Sequence, residues 1–282
     1  MILSFHPCFV ADCQVILADR NLNAGERRLI RAADAIILPQ SCSPALYRAC
    51  KNSESHVFPD YDLRFKYPGK VGQSLLFEKL KIPHPVTKRW VSVQKFRDGQ
   101  KQKSASPHEM PFFLKTDMGH EGEGVYFVTD GDTLETALAR LEKAGTEGFI
   151  SQAAIPCNGN VLRAVVLHKK IIIYWKRPAR PDEGTTTISH GSRVDKVWKP
   201  ALQEKGRAQA QWICEKTGIN VAAFDFVFDL GHPDPLPLIL EINYYFGRRG
   251  LDGSLNYYGL LLNAIREWLK ENGFEAGLVK LV

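Results

Sequence analysis

No stretch of the 282 residues reaches about 18 uninterrupted apolar positions, so a membrane-spanning helix is not expected. Met1 to Val10 has neither the basic start nor the long apolar core of a secretory leader, and a cytoplasmic location is expected. The six cysteines (Cys8, Cys13, Cys42, Cys50, Cys157 and Cys214) include no CxxC pair, and no histidine stands at finger-like spacing from them. That argues against a zinc site and leaves free thiols as the expected state. No long block of like charges forms a tail. No heptad run and no repeat of fixed period is present, which excludes coiled-coil and solenoid architectures.

What is present is an ordinary globular composition. Hydrophobic residues make up 44% and charged residues 24%, so disorder is not the dominant state. The length allows one large domain or two modest ones, with a core that needs no disulfide staples. The net charge of +6 suits an anionic partner, either nucleic acid or a small nucleotide or carboxylate. Aromatic and basic residues do not interleave in any nucleic-acid-binding module, so nucleic acid is not the expected partner.

Along the chain, Ile2–Phe5, Gln14–Ala18 and Ala35–Leu38 read as short strands. Asn23–Ala33 and the segment opened by Ser43-Pro44 read as helices. This alternation predicts a small parallel sheet over residues 1–68, with Phe58–Gly69 as a linker. Val71–Lys81 is helical and is stopped by Ile82-Pro83-His84-Pro85. Strands are expected at Thr87–Val93, Pro111–Lys115 and Val125–Val128. A helix follows, with Asp132 and Glu135 as its capping box. Further strands are expected at Phe149–Gln152, Leu162–His168, Ile171–Lys176, Val221–Phe228 and Leu236–Asn243. Helices are expected at Pro200–Lys216 and Ser254–Glu271. Arg177–Val194, rich in Pro, Gly, Thr and Ser, reads as a long loop of the kind that closes over active sites.

Three groups of residues carry chemistry. Gly119, Gly122 and Gly124 bunch between two strands; either their backbone N–H groups share one space and meet phosphate oxygens, or the run is a flexible hairpin tip. A strand follows them, and no Gly-Lys-Ser/Thr ends the run, so neither a P-loop nor a dinucleotide fingerprint is present. Glu121 and Glu123 suit a phosphate role only if they point away. Lys115, at the end of an apolar strand beside these glycines, is either a phosphate's counter-charge or a solvated cation. Lys70 starts a helix, where the dipole disfavours a cation; it either reaches a bound anion or, as is the plainer reading for this residue alone, is a solvated lysine.

The second group is acidic. Asp225 interrupts the apolar Ala222-Ala-Phe-Asp-Phe-Val-Phe, and Glu241 and Asn243 stand two apart on one strand face. A carboxylate in so apolar a strand is costly unless paired or bound to a metal. Three oxygen ligands on neighbouring strands suit Mg²⁺ or Mn²⁺ shared with phosphates. The third group is cationic: Arg163, Lys176, Arg177 and Arg193 surround the hairpin and loop, and Arg248 and Arg249 follow Asn243; Arg163, Lys176 and Arg177 are either clamps for phosphate or carboxylate or ordinary solvated charges.

In this order, Lys70, Lys115 with its glycines, Arg163, Lys176-Arg177, Asp225 and Glu241-x-Asn243 resemble the ATP-grasp superfamily, and most closely its RimK-like carboxylate–amine ligases. The resemblance covers about residues 69–270. It implies an α/β and α+β architecture. Two α+β subdomains (69–148 and 149–282) clasp ATP, after a shortened N-terminal α/β domain (1–68). It further implies that Lys70 and Lys115 contact ATP phosphates, with Gly119, Gly122 and Gly124 around them. Gln152, Ala153, Ala154 and Ile155 would border the adenine, and Asn160 the ribose. Asp225, Glu241 and Asn243 would hold Mg²⁺. Arg163, Lys176 and Arg177 would steady the transferring group. Arg248 and Arg249, whose equivalents vary in the family, are the expected contacts for the substrate carboxylate. Two positions depart from the family pattern: Ala153 stands in place of the hinge glutamate and Val161 in place of an acidic residue before Arg163. The implied activity joins a carboxylate to an amine through an acylphosphate. A nucleotide-binding protein without ligase activity and a small-molecule kinase remain as alternatives.

Overall fold

The computed structural model describes residues 1–18, 20–103, 107–119, 123–178 and 192–282. The first segment contains β1 (Ile2–Ser4), β2 (Phe9–Val10), β3 (Cys13–Gln14), α1 (Ala24–Ala32), β4 (Ala35–Ile37), α2 (Pro44–Lys51), β5 (His56–Phe58) and α3 (Asp62–Lys66). Four of its strands form a parallel sheet in the order β3-β1-β4-β5. Asn23 starts α1 by accepting from Glu26 N, and the Glu26 carboxylate accepts from Asn23 N in return. Ser43 caps α2, with Pro44 at its first turn.

Alternation along the strands gives the sheet two apolar faces. Leu3 and Ile36 pack with Ile30 and Leu46 of the helices on one side. Ile2, Ala35, Ile37 and Phe58 form the other. The stretch Phe58–Gly69 is not a free linker. It holds α3, and Tyr61 within it is fully buried, with its N–H donating to the Tyr47 hydroxyl. Its prolines mark the ends of the segment, but Tyr61 and Phe65 draw it onto the core.

α4 (Gly69–Leu80) leads into an antiparallel sheet of β6 (Thr87–Trp90), β7 (Phe112–Thr116), β8 (Val125–Val128) and β9 (Phe149–Ala153), ordered β6-β9-β7-β8. α5 (Val93–Lys103) and α6 (Gly131–Lys143) cover it through Phe96, Leu134 and Leu138. The sequence gives no warning of α5. The capping box of α6 lies two residues before the expected one: Asp130 accepts from Thr133 N, and Thr133 Oγ1 accepts from Asp130 N.

The third sheet is antiparallel, ordered β12-β11-β10-β13-β14. Its strands are β10 (Val161–Leu167), β11 (Lys170–Arg177), β12 (Arg193–Asp195), β13 (Val221–Val227) and β14 (Leu238–Asn243). α7 (Pro200–Thr217) packs on the face that carries Leu162, Ala164, Ala222 and Phe224. α8 (Ser254–Glu271) packs on the opposite face, against Val165, Leu167, Tyr174 and Ala223. The same helix also covers Ile2, Ala35, Ile37 and Phe58, so α8 lies between the first and third sheets. β15 (Lys280–Leu281) then pairs antiparallel with β2. No helix among the described residues is long and apolar enough to cross a membrane.

Candidate active site

The period of two along the third sheet places Arg163, Lys176 and Asp225 on the face that α8 covers elsewhere. Arg163 and Asp225 are directly opposite across β10 and β13, and Asp225 is opposite Glu241 across β13 and β14. Arg163 donates from Nε to Asp225 Oδ1 at 2.8 Å and from Nη2 to Oδ2 at 2.7 Å. Lys176 Nζ donates to the same Oδ2 at 2.8 Å. All three groups are buried or nearly so, with side-chain exposures of 11%, 7% and 2% for Arg163, Lys176 and Asp225. Burial alone would push the Asp225 carboxyl up. The two cations reverse this and hold it well below the usual carboxylate range. Burial outweighs Asp225 at Lys176, whose pKa is lowered.

A register shift between Asp225 and Phe226 bulges β14, after which Glu241 and Asn243 join this group. Asn243 Nδ2 donates to Glu241 Oε1 at 3.0 Å and lies 3.4 Å from Asp225 Oδ2. The donor set is carboxylate and amide oxygen only, which fits Mg²⁺ or Mn²⁺ and not a soft metal. No group of three His, Cys, Asp or Glu residues among the described residues forms a cage. Both Asp225 oxygens are engaged by cations, so the donor set suits an ion held by Glu241 and Asn243 and shared with a ligand's oxygens.

Lys70 and Lys115 approach from α4 and the second sheet, respectively. Lys115 Nζ donates to Gln152 Oε1 at 2.6 Å, and Gln152 Nε2 donates to Thr87 Oγ1 at 3.0 Å. Among the described residues Lys115 makes no ion pair. Burial lowers its pKa from 10.5 to about 8; Glu241 opposes the shift and Lys70 adds to it. Lys115 therefore senses both Lys70 and the acidic strand of the other sheet.

Lys70 Nζ donates to Gly119 O at 2.9 Å. α4 has no cap in its own sequence, since Pro68 precedes it; Asp117 Oδ1 instead accepts from Val71 N at 2.8 Å. Gly69 has φ +65°, and a Cβ there would stand 2.2 Å from Asp117 Oδ1. Gly124, at φ +69°, would bring a Cβ within 2.0 Å of Thr116 Oγ1. Gly119 belongs to the same loop, and Gly122 lies outside the described residues.

At the hinge, Ala153 N donates to Val86 O, and Cys157 N to Ile155 O. Ala154 is half-buried between them. Asn160 is turned onto its own loop, donating to Cys157 O and Asn158 O. Val161 is buried on the same side of β10 as Arg163.

Arg177 does not join the group. One residue beyond Lys176, it takes the opposite face of β11. There it pairs with Asp195 at 3.0 Å and lies over the Trp198 ring at 4.3 Å. The expected loop Arg177–Val194 begins and ends in paired strands, Arg177 being opposite Arg193. Its central residues, 179–191, lie outside the described residues. Arg248 is half-buried, 4.8 and 4.5 Å from the Tyr257 and Tyr258 ring centres, and has no carboxylate partner among the described residues. Near it, the Tyr257 hydroxyl is buried with no hydrogen-bond partner among the described residues, and burial, with Arg248, lowers the His6 pKa from 6.5 to about 4. Arg249 is exposed beside it.

Sequence reasoning missed Asp117 and Gln73. Asp117 is two residues from Lys115 and reads as an ordinary turn residue. Gln73 is one polar residue of the expected helix and nothing in its own position marks it, yet its Oε1 accepts from Ile242 N and its Nε2 donates to Ile242 O.

No protein-family model matches the chain. It is 22% identical over 144 residues to a probable alpha-L-glutamate ligase of Aeromonas salmonicida (strain A449), a match covering 51% of this chain. The match spans 46% of that relative, about half its length. A RimK domain ATP-grasp protein from Sphaerobacter thermophilus DSM 20745 superposes with a TM-score of 0.58 at 18% identity, over 92% of this chain and 97% of that one. The D-alanine–D-alanine ligase of Bacillus anthracis gives 0.59 at 14% identity, over 90% and 84%. The ADP complex of an N5-carboxyaminoimidazole ribonucleotide synthetase gives 0.60 at 14%, over 85% and 60%. The fold is the ATP-grasp fold.

Proposed function

We propose that on this ATP-grasp fold the chain is an ATP-dependent ligase that joins a carboxylate to an amine. The observation that carries the proposal is a charge imbalance. Four cations, Lys70, Lys115, Arg163 and Lys176, gather about two carboxylates, Asp225 and Glu241. Buried or half-buried cations in excess call for a polyanion, and a nucleoside triphosphate supplies one. The similarity to a probable glutamate ligase supports the reaction class.

In this proposal residues 1–68, 69–148 and 149–282 are the N-terminal domain and the two subdomains. Lys115 and Lys70 take phosphate oxygens, Lys70 leaving the Gly119 carbonyl on which it rests. Gly119, Gly122 and Gly124 let the loop backbone approach. Gln152 to Ile155 border the adenine. Glu241 and Asn243, with Asp225 behind them, would hold Mg²⁺ or Mn²⁺, which would offset charge on the phosphates. Arg163 and Lys176 hold Asp225 ionised, and Arg163 presents its remaining edge to the transferring group. A carboxylate oxygen attacks the γ-phosphorus, and the bond to ADP breaks. The amine nitrogen then attacks the acyl carbon, and phosphate departs with the nitrogen's proton. Arg248, stacked on two tyrosines and without an acidic partner among the described residues, receives the substrate's carboxylate.

The test is ADP release with Mg-ATP and pooled amino acids and small carboxylates, with hydroxylamine as the trapping amine. Carboxylate-dependent ADP release with a hydroxamate product supports the ligase. A phosphorylated alcohol and no hydroxamate would assign a kinase instead. Nucleotide binding without any acid-stimulated turnover would favour a binding protein.

A further inference from the structure

α4 touches both halves of the site within its first five residues. On one side, Lys70 N donates to Asp117 O at 3.1 Å, Val71 N to Asp117 Oδ1 at 2.8 Å, and Lys70 Nζ to Gly119 O at 2.9 Å. These contacts clamp the start of the helix to the glycine loop. On the other side, Gln73 Oε1 accepts from Ile242 N at 2.8 Å, and its Nε2 donates to Ile242 O at 2.9 Å. A primary amide carries one acceptor and a donor side by side, so it pairs with a peptide as another strand would.

The location gives this pairing its meaning. β14 is the edge of the five-stranded sheet, and the outward groups of its peptides have no neighbouring strand among the described residues. Ile239 N, on the same edge, donates to Pro83 O just beyond α4. Ile242 is the residue between Glu241 and Asn243. It is buried at 3% exposure, and alternation puts its neighbours on the opposite face, toward Asp225. Gln73 thus holds both peptide units that flank Ile242, the one from Glu241 and the one to Asn243, and so sets where Glu241 and Asn243 stand relative to Lys70.

We propose that Gln73 is a positioning residue that couples the two sides of the site, so that nucleotide held at Lys70 and a divalent cation held at Glu241 and Asn243 strengthen one another through α4. The inference rests on the nucleotide-and-metal assignment above and adds a residue that touches neither ligand. Without the amide pair, the edge of β14 loses its reference to α4, and each side binds without fixing the other.

The test compares ADP affinity by calorimetry, without metal and with saturating Mn²⁺, in the intact chain and in Gln73→Met and Gln73→Glu. Methionine keeps the volume and removes both bonds; glutamate keeps the acceptor and sets a negative charge against Ile242 O. The gain in ADP affinity on adding Mn²⁺ is expected to shrink by about tenfold in both variants, while affinity without metal is little changed. Leu138→Ala, in the core of the second sheet, controls for lost stability: it lowers Tm and is expected to keep the full gain. A full gain in Gln73→Met, or an equal loss in Leu138→Ala, overturns the inference and leaves the nucleotide assignment standing. If the unaltered chain binds no ADP with or without Mn²⁺, the nucleotide assignment itself falls and the inference with it.

Discussion

Arg163 and Asp225 meet end to end across two neighbouring strands, with two nitrogens of one on both oxygens of the other. With Lys176 on the same carboxylate, Asp225 forms ion pairs with two buried cations at once. Asp225→Asn is therefore expected to cost about 3–5 kcal/mol of folding stability, because it leaves buried charge unpaired. Glu241→Gln, half-buried and free of such a debt, should cost under about 1 kcal/mol. Both should lose metal-dependent ATP turnover, but only Glu241→Gln should do so with its denaturant midpoint intact. A fully active Glu241→Gln enzyme would remove Glu241 from the metal site. Asp225 also fixes an acid limit. Its carboxyl is lowered in the fold, so its contribution is complete above about pH 4 and drains only as pH falls below that.

Lys115 predicts an alkaline dependence. Its pKa falls from 10.5 to about 8 on folding, so the fold carries a penalty below pH 8 that fades as pH rises from there toward 10.5. Bound phosphates favour the charged form, so nucleotide affinity should run the other way and fall as pH rises through 8. Calorimetry near pH 8.5 in buffers of different ionisation enthalpy should detect proton uptake on ADP binding. Lys115→Met should bind ADP weakly and without that uptake.

Gly124→Ala tests the loop. The new methyl would strike Thr116 at 2.0 Å, on a backbone that costs about 1–2 kcal/mol for an L side chain. ADP binding is expected to weaken by at least about tenfold, with a smaller change in Tm. Gly145→Ala, also at positive φ but with nothing within 4 Å, should leave ADP binding unchanged.

Lys176 and Arg177 are adjacent in sequence and opposite in space. Lys176→Met should destabilise the Asp225 cluster and lose turnover. Arg177→Met breaks the pair with Asp195 and the contact with Trp198, so it should lower Tm while leaving ADP affinity within about twofold. A turnover-dead, fully stable Arg177→Met protein would return Arg177 to the reacting group.

How far the sequence reveals the protein depends on the range of each interaction. Ser254–Glu271 matches α8 to the residue, because a glycine precedes it and its apolar spacing is regular. Glu241 and Asn243 were visible as neighbours because a period of two is local. α5 was not, since Val93 and Phe96 are its two apolar residues and charged residues, glutamines and a glycine make up the rest. α3 hid behind two prolines, its fold decided by burial of Tyr61 against distant elements. Asp225 stood out as an acid among apolar residues. That its partners are Arg163 and Lys176 is fixed by strand order, and strand order leaves no mark in any one segment. Gln73 acquires its role only when β14 arrives beside it.

The position of α8 has a consequence for the order in which the chain can be completed. Ile2, Ala35, Ile37 and Phe58 are made early, but the helix that covers them begins at Ser254, and β2 finds its partner only at Lys280. During synthesis the first sheet therefore emerges with one apolar face uncovered, and it keeps that face exposed while most of the remaining chain is translated. Such an intermediate is a natural client for a holding chaperone, and contacts this distant in sequence make for slow folding.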